Sequence, residues 1–176
     1  EMDKRLLGEE HPYVAQSLNN LAALYEIQGR YTEAETPYKQ ALQMKKRLLG
    51  EEHPDVAQSL NNLALLYSLQ GRYTEAEFLY KQALEMDKRL LGEEHPYVAT
   101  SLNNLAGLYE SQGRYTEAES LYKQALEMYK RLLGEEHHYV AQSSDNLALR
   151  YSLQGRCHEE ESLYKQALEM EHRLLA

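Results

Sequence analysis

Shifting the chain against itself by 42 residues brings Gly8, Gly50, Gly92 and Gly134 into register, and with them Gly29, Gly71, Gly113 and Gly155. The same shift superposes Asn20, Asn62, Asn104 and Asn146, then Tyr38, Tyr80, Tyr122 and Tyr164, then Met44, Met86, Met128 and Met170. A period in this range means a stacked array in which each unit buries its apolar face only against its neighbours. The chain is therefore read as a solenoid rather than as one globule. Its composition fits copying: fifteen Tyr stand against one Phe and no Trp.

Within a unit, Val14, Leu18, Leu21, Ala22 and Tyr25 form the apolar stripe of an amphipathic helix, helix A. Pro12 stands at its start, and Gly29 ends it in the manner of a left-handed cap. A second stripe, Ala34, Tyr38, Ala41, Leu42 and Leu48, runs to Gly50 and makes helix B. Thr32 and Glu35 have capping-box spacing, recurring as Thr74/Glu77 and Thr116/Glu119. Pro37, lying past the first turn, predicts a local kink in the first helix B. No strand pattern is present. Two helices joined by so short a turn run antiparallel, with Ala22 and Ala34 allowing close approach. The expected fold class is all-α, with about four helical hairpins over residues 9–50, 51–92, 93–134 and 135–176. Residues 1–8 read as the tail of a preceding helix B, so the chain is expected to be a cut from a longer array.

Leu18, Leu21-Ala22, Tyr25, Gly29, Tyr31, Ala34, Tyr38 and Ala41 resemble the tetratricopeptide repeat, whose usual unit is shorter than this one. The longer unit, with its phrases LNNLALLY, QGRYTEAE, LYKQALEM and GEEHPDVA, is similar to the kinesin light chain subfamily of long repeats, including its bacterial relatives. The resemblance spans essentially the whole chain. It implies one continuous right-handed α-solenoid with helix A lining a concave groove and helix B outside, used to dock a protein or peptide. It does not show that the chain binds kinesin, since the heptad coiled coil that would join a heavy chain is absent from this sequence.

Opposite the apolar stripe of helix A lie Gln16, Asn19, Asn20, Ala23, Glu26 and Ile27, then Gln58, Asn61, Asn62, Leu65, Ser68 and Leu69. Their copies are Thr100, Asn103, Asn104, Gly107, Glu110 and Ser111, and Gln142, Asp145, Asn146, Leu149, Ser152 and Leu153. An Asn amide both donates and accepts, which suits it to the backbone of an extended peptide. The candidate peptide-binding set is thus Gln16, Asn19, Asn20, Gln58, Asn61, Asn62, Leu65, Thr100, Asn103, Asn104 and Asn146. The family resemblance implies the same role for the Asn20, Asn62, Asn104 and Asn146 ladder. The other reading has these asparagines bond a neighbouring helix and set the stacking. Residues 12–28, 54–70 and 96–112 contain no basic side chain, so a carboxylate clamp on helix A is absent. Glu26, Glu110 and Asp145 tilt the groove acidic and favour neutral or weakly basic peptides.

A formal charge of −9 removes the counterion-release attraction on which binding to nucleic acid or anionic membrane rests. No apolar run is long enough to span a bilayer, and the chain opens on Glu1-Met2-Asp3-Lys4-Arg5 without a secretory segment, so a cytoplasmic location is expected. The recurring Glu-Glu-His-Pro, at Glu9 to Pro12 and its copies, reads as a solvated loop before a helix rather than a metal site, since successive His are too far apart to converge. Cys157-His158-Glu159 is no better a metal or nucleophile site, adjacent residues pointing apart on a helix. Lys45, Lys46 and Arg47, Lys88/Arg89 and Lys130/Arg131 offset helix dipoles; the alternative, a basic ridge on the convex face for an acidic partner, is screened by the adjacent Glu51, Glu52 and their copies. With no phosphate loop and no nucleophile placed beside a base, no enzymatic activity, cofactor or metal is expected.

The fourth unit departs from the pattern. Leu18, Leu60 and Leu102 give way to Ser144, Leu24, Leu66 and Leu108 to Arg150, Tyr31, Tyr73 and Tyr115 to Cys157, and Ala34, Ala76 and Ala118 to Glu160. The changes read either as a wettable terminal cap or as drift, with Glu160 expected at a crowded contact. Either way hairpins three and four are expected to be the weakest part of the stack. The expected function is a scaffold binding an extended peptide along helix A; the alternative is a structural solenoid that self-associates through its ends.

Overall fold

The computed structural model describes residues 11–175, less the side chains of residues 170, 174 and 175; the expected helix tail at residues 1–8 lies outside the described residues. Eight helices follow in chain order: α1 (Pro12–Ile27), α2 (Tyr31–Leu49), α3 (Pro54–Leu69), α4 (Tyr73–Leu91), α5 (Pro96–Ser111), α6 (Tyr115–Leu133), α7 (His138–Leu153) and α8 (Cys157–Leu175). They form four hairpins, α1 with α2 through α7 with α8, and there is no strand among the described residues. The chain divides into two compact units meeting at Leu90 and Leu91, so the first unit holds hairpins one and two and the second holds hairpins three and four.

Each helix A begins and ends by the same local chemistry. Its first residue is Pro12, Pro54 or Pro96, and the residue before it is an extended His whose side chain caps the helix. His11 Nδ1 accepts from the Tyr13 N–H at 3.2 Å, His53 from Asp55 at 3.1 Å, His95 from Tyr97 at 3.1 Å and His137 from Tyr139 at 3.3 Å. The Glu-Glu-His-Pro phrase thus starts helices, its imidazole satisfying an N–H that would otherwise lack a partner. At the other end Gly29 takes φ +72°, Gly29 N–H donates to Glu26 C=O and Arg30 N–H to Tyr25 C=O. This is a Schellman closure, and the Arg30 guanidinium covers the Tyr25 ring at 4.4 Å. Arg72 on Tyr67, Arg114 on Tyr109 and Arg156 on Tyr151 repeat it at 3.7, 3.7 and 4.2 Å.

The cap of helix B lies two residues before Thr32 and Thr116. Arg30 is the N-cap of α2 and Arg114 that of α6, neither with a side-chain capping bond. The Thr32/Glu35 and Thr116/Glu119 capping boxes do not form, because both glutamates are engaged elsewhere: Glu35 with Lys39 in its own helix and Arg72 in the next hairpin, Glu119 with Lys123 and Arg156. The helix runs unbroken through the buried Pro37.

In the first unit Val56, Ala57 and Leu60 of α3 pack with Ala83 and Met86 of α4, with Leu42 of α2 and Leu79 closing the cluster. Burying side chains such as Val56 and Leu60 stabilises the stack by roughly 1.5–3 kcal/mol each. Ala22, Ala34, Ala64 and Ala76 are fully buried where paired helices approach most closely. Leu21 departs from the expected core: it is 41% exposed where Leu63 is 4%. Its helix is the first of the described array, whereas α3 packs on the preceding α2.

The second unit explains the divergent hairpin. Arg150 is among the most deeply buried side chains, its Nη1 3.1 Å from Glu110 Oε1 and its guanidinium 3.8 Å above the Tyr115 ring. Ser144 is buried as well. These two substitutions therefore do not make an outer wettable face. Glu160 is half-buried rather than crowded at the hairpin contact, and Cys157 is exposed. In α8 Tyr164 is 42% and Leu168 55% exposed, against 6% and 4% for Tyr122 and Leu126, so the last described helix shows an apolar face that is covered in α6.

Candidate functional site

The exposed face of each helix A is a stripe at helical spacing. In α3 it reads Gln58, Asn62, Leu65, Leu69, and in α1 Gln16, Asn20, Ala23, Ile27. Gln16 Nε2 donates to Asn20 Oδ1 at 2.9 Å, and Gln58 Nε2 to Asn62 Oδ1 at 3.0 Å. The bond lies within one helix, so Asn20 and Asn62 are oriented by their own helix and not by a neighbour. It leaves the Asn Nδ2 donor and the Gln Oε1 acceptor outside that bond. Leu65 is 44% exposed, Leu69 46% and Ile27 84%, making an apolar strip beside the amides.

In the second unit the stripe of α7 is Gln142, Asn146, Leu149 and Leu153, all exposed. That of α5 is more polar and more engaged: Thr100 Oγ1 lies 2.7 Å from the Tyr129 hydroxyl and 3.1 Å from the Pro96 carbonyl, Asn104 is half-buried, and Ser111 Oγ donates to the Gly107 carbonyl at 3.0 Å.

Three expected site residues lie elsewhere. Asn19 and Asn61 are buried and Asn103 is half-buried with its Oδ1 enclosed. Ala15, Asn19 and Ala22 fall at i, i+4 and i+7, as do Ala57, Asn61 and Ala64, so the first Asn of each pair continues the small-residue stripe facing the partner helix. Asn19 Oδ1 has no hydrogen-bond partner there. Polarity suggested exposure, while the helical register put these amides inside.

The acidic residues of this face are also partly neutralised. Glu26 accepts from the Tyr38 hydroxyl at 3.0 Å, and Glu110 accepts from Tyr122 at 3.1 Å while pairing with Arg150. Burial, then the charge of Glu26, raises the Tyr38 hydroxyl above its ordinary pKa. Asp145 is exposed, and its carboxyl is raised by partial burial and by Glu171.

Beside the stripe of the first unit opens a cleft of about 380 Å³, lined by Pro12, Tyr13, Ala15 and Gln16 of α1, Lys45, Leu48 and Leu49 of α2, and Asp55 and Gln58 of α3. Burial lowers the Lys45 ammonium below its ordinary pKa, an effect that the negative charge of Asp55 opposes. From the sequence, Lys45 belongs with the cations that offset a helix dipole or form a basic ridge on the convex face, and not with the candidate binding set. The missed signal was variation within the repeat: this position is Lys45, Asp87, Tyr129 and Glu171 in four otherwise similar units. Among the described residues no three of His, Cys, Asp and Glu converge on a common point, and no helix is long and apolar enough to cross a membrane.

Tetratricopeptide repeat family models match residues 14–55, 38–89, 80–131 and 97–170. No curated protein sequence matches. Among solved structures, BtubC (BKLC) from P. vanneervenii is 29% identical with a TM-score of 0.79 over 92% of this chain, which spans 64% of its length. A Podosopora anserina structure with nearly identical repeats of kinesin light chain type is 28% identical, with a TM-score of 0.77 over 99% of this chain and 82% of that one. The Rap protein complexed with competence and sporulation factor shares the fold at 20% identity, with a TM-score of 0.78 over 92% of this chain and 44% of that one. Proteins built of these repeats are generally protein-interaction scaffolds. With family models reaching from Val14 to Met170, and hairpins closed at every turn by the same capping chemistry, the chain belongs to the tetratricopeptide repeat family.

Proposed function

We propose that the chain binds an extended peptide along the exposed faces of α1 and α3 in its first unit and of α5 and α7 in its second. The observation that carries this reading is the Gln-to-Asn bond within α1 and α3, which holds a donor and an acceptor ready for the backbone of a peptide whatever its sequence. Asn20, Asn62, Asn104 and Asn146 supply the amides, and Ile27, Leu65, Leu69 and Leu149 the apolar surface. The 42-residue unit and the likeness to kinesin light chain-type repeats support a member of that subfamily. One exposed free cysteine, Cys157, suits a reducing cytoplasmic setting.

The test is selection from a random peptide library at physiological salt, run beside the variant Asn62→Ala/Asn104→Ala. Peptides enriched by the parent chain and lost by the variant support the reading. Equal enrichment by both, or none by either, overturns it.

A second reading rests on α8, whose exposed Tyr164 and Leu168 occupy positions buried in α6. That face would take the first helix of a second copy, giving head-to-tail growth. Light scattering that rises with concentration, and is abolished by Leu168→Asp, supports it; a constant mass for the parent chain overturns it.

A further inference from the structure

The first three repeats are near-identical in sequence, differing at only nine positions, and of these 13, 16 and 45, with Asp55 and Gln58 of the next repeat, line the cleft beside α1. Two more, at residues 23 and 27, lie on the exposed stripe of helix A. Variation in an otherwise copied unit thus concentrates where a ligand would touch.

The corresponding position is filled in the second compact unit. In the second unit Tyr129 is 3% exposed, hydrogen-bonds Thr100 and stacks on Tyr139 with ring centroids 5.4 Å apart. A phenol ring occupies the position that Lys45 holds in the first unit. There the cleft stays open, and among the described residues no carboxylate forms an ion pair with the half-buried Lys45; Asp55 acts on it through space. A cation taken partly out of water without a paired anion is held at a cost that an incoming anion relieves. Gln16 and Gln58 line the cleft and also orient Asn20 and Asn62, so the cleft is continuous with the peptide-binding stripe.

We infer that the Lys45 cleft is a specificity pocket for one Asp or Glu side chain of the bound peptide. The inference rests on the peptide-binding reading above. Lys45 donates to the carboxylate, Tyr13 and Leu49 flank its methylenes, and Asp55 on the α3 wall repels a second acid. The recognised segment is then a largely neutral or weakly basic peptide carrying a single acid at a fixed position.

The test uses the whole chain and a random peptide library acetylated at its N-terminus and amidated at its C-terminus, selected by the parent, by Lys45→Gln, by Lys45→Glu and by Lys45→Tyr. Circular dichroism confirms the fold of each variant, and Lys45→Tyr introduces the residue type already accommodated at 129. The expected result is one acid-enriched position for the parent, lost with Lys45→Gln and Lys45→Tyr and inverted to Lys or Arg with Lys45→Glu. Replacing that Glu by Gln in a selected peptide weakens binding to the parent about tenfold and to Lys45→Gln hardly at all. Acid enrichment that survives in Lys45→Gln, or peptides without a preferred acid, overturns the pocket while leaving the peptide-binding reading intact. Acid preference that appears only in a library with free C-termini overturns the side-chain source. Absence of any enrichment overturns both.

Discussion

Arg150 Nη1 and Glu110 Oε1 meet at 3.1 Å between α7 and α5, joining the two hairpins of the second unit through a cation that its sequence siblings replace with leucine. The arginine is 1% exposed, and its Nε is enclosed with no hydrogen-bond partner. Such a pair holds the stack in register, yet removing one partner strands a charge.

Arg150→Leu restores the residue type of Leu66 and Leu108, both almost fully buried. Replacing a buried charge by a well-packed apolar side chain is expected to raise stability by about 1 kcal/mol. Glu110→Ala, which leaves the cation inside without its partner, is expected to lower stability by about 3 kcal/mol. Thermal and urea unfolding of the two variants check the opposite signs.

Glu35 and Glu119 bind successive hairpins together within each unit. Glu35 accepts from Tyr67 at 3.1 Å and from Arg72 at 3.0 Å, and Glu119 from Tyr151 at 3.3 Å and Arg156 at 2.8 Å. Burial raises each carboxyl, but the bonds from Lys39 and Arg72, and from Lys123 and Arg156, outweigh it and leave both below the ordinary value of 4.5. A depressed folded-state pKa contributes stability that is present above 4.5 and lost as pH falls through the lower folded value. Unfolding midpoints followed below pH 5 are expected to drop less steeply in Glu35→Gln/Glu119→Gln than in the parent. Parallel acid limbs would contradict the assignment.

His53 is expected to behave as a cap and not as a ligand. His53→Ala removes the acceptor of the Asp55 N–H and is expected to lower stability by about 0.5–1 kcal/mol. His53→Asp, a stronger cap at a helix N-terminus, is expected to match the parent or exceed it. Urea denaturation distinguishes the two, and added zinc is expected to shift neither.

Hydrogen exchange is expected to find α8 the least protected helix of the described array. In α4, Ala76, Tyr80, Ala83, Leu84 and Met86 are buried, whereas Ala167 is the buried residue among the described side chains of α8. Stability in a stacked array is a sum over neighbouring interfaces, so a helix covered on one side opens first. Protection in α8 equal to that in α4 would refute this.

Gln58→Met removes the bond that orients Asn62 without touching the core. Peptide affinity is expected to fall about threefold to tenfold while the unfolding midpoint stays within error, as calorimetry on any selected peptide will read.

The hairpins were legible because a 42-residue repeat period, a 3.6-residue apolar period and a glycine at each helix end are local or repetitive signals. The capping role of His11 and its copies was less so: the sequence marks a loop before a helix, but only backbone geometry brings Nδ1 to the N–H two residues on. Within the candidate site, Asn20 and Asn62 were identified by repetition, but Asn19 and Asn61 were misassigned to the surface. Adjacent residues on a helix differ by about 100° in direction, so identical neighbours face opposite worlds.

The sequence by itself determined the unit, its length, the two helices within it and the polar stripe on helix A, since these follow from the spacing of residues along one chain. Only the tertiary structure decided which cation each carboxylate finds, that Arg150 lies inside against Glu110, and that Lys45 lines an open cleft while Tyr129, at the same position of the repeat, is buried. Those outcomes depend on helices that meet from different hairpins, and a contact across about 40 residues of sequence leaves no trace in local spacing.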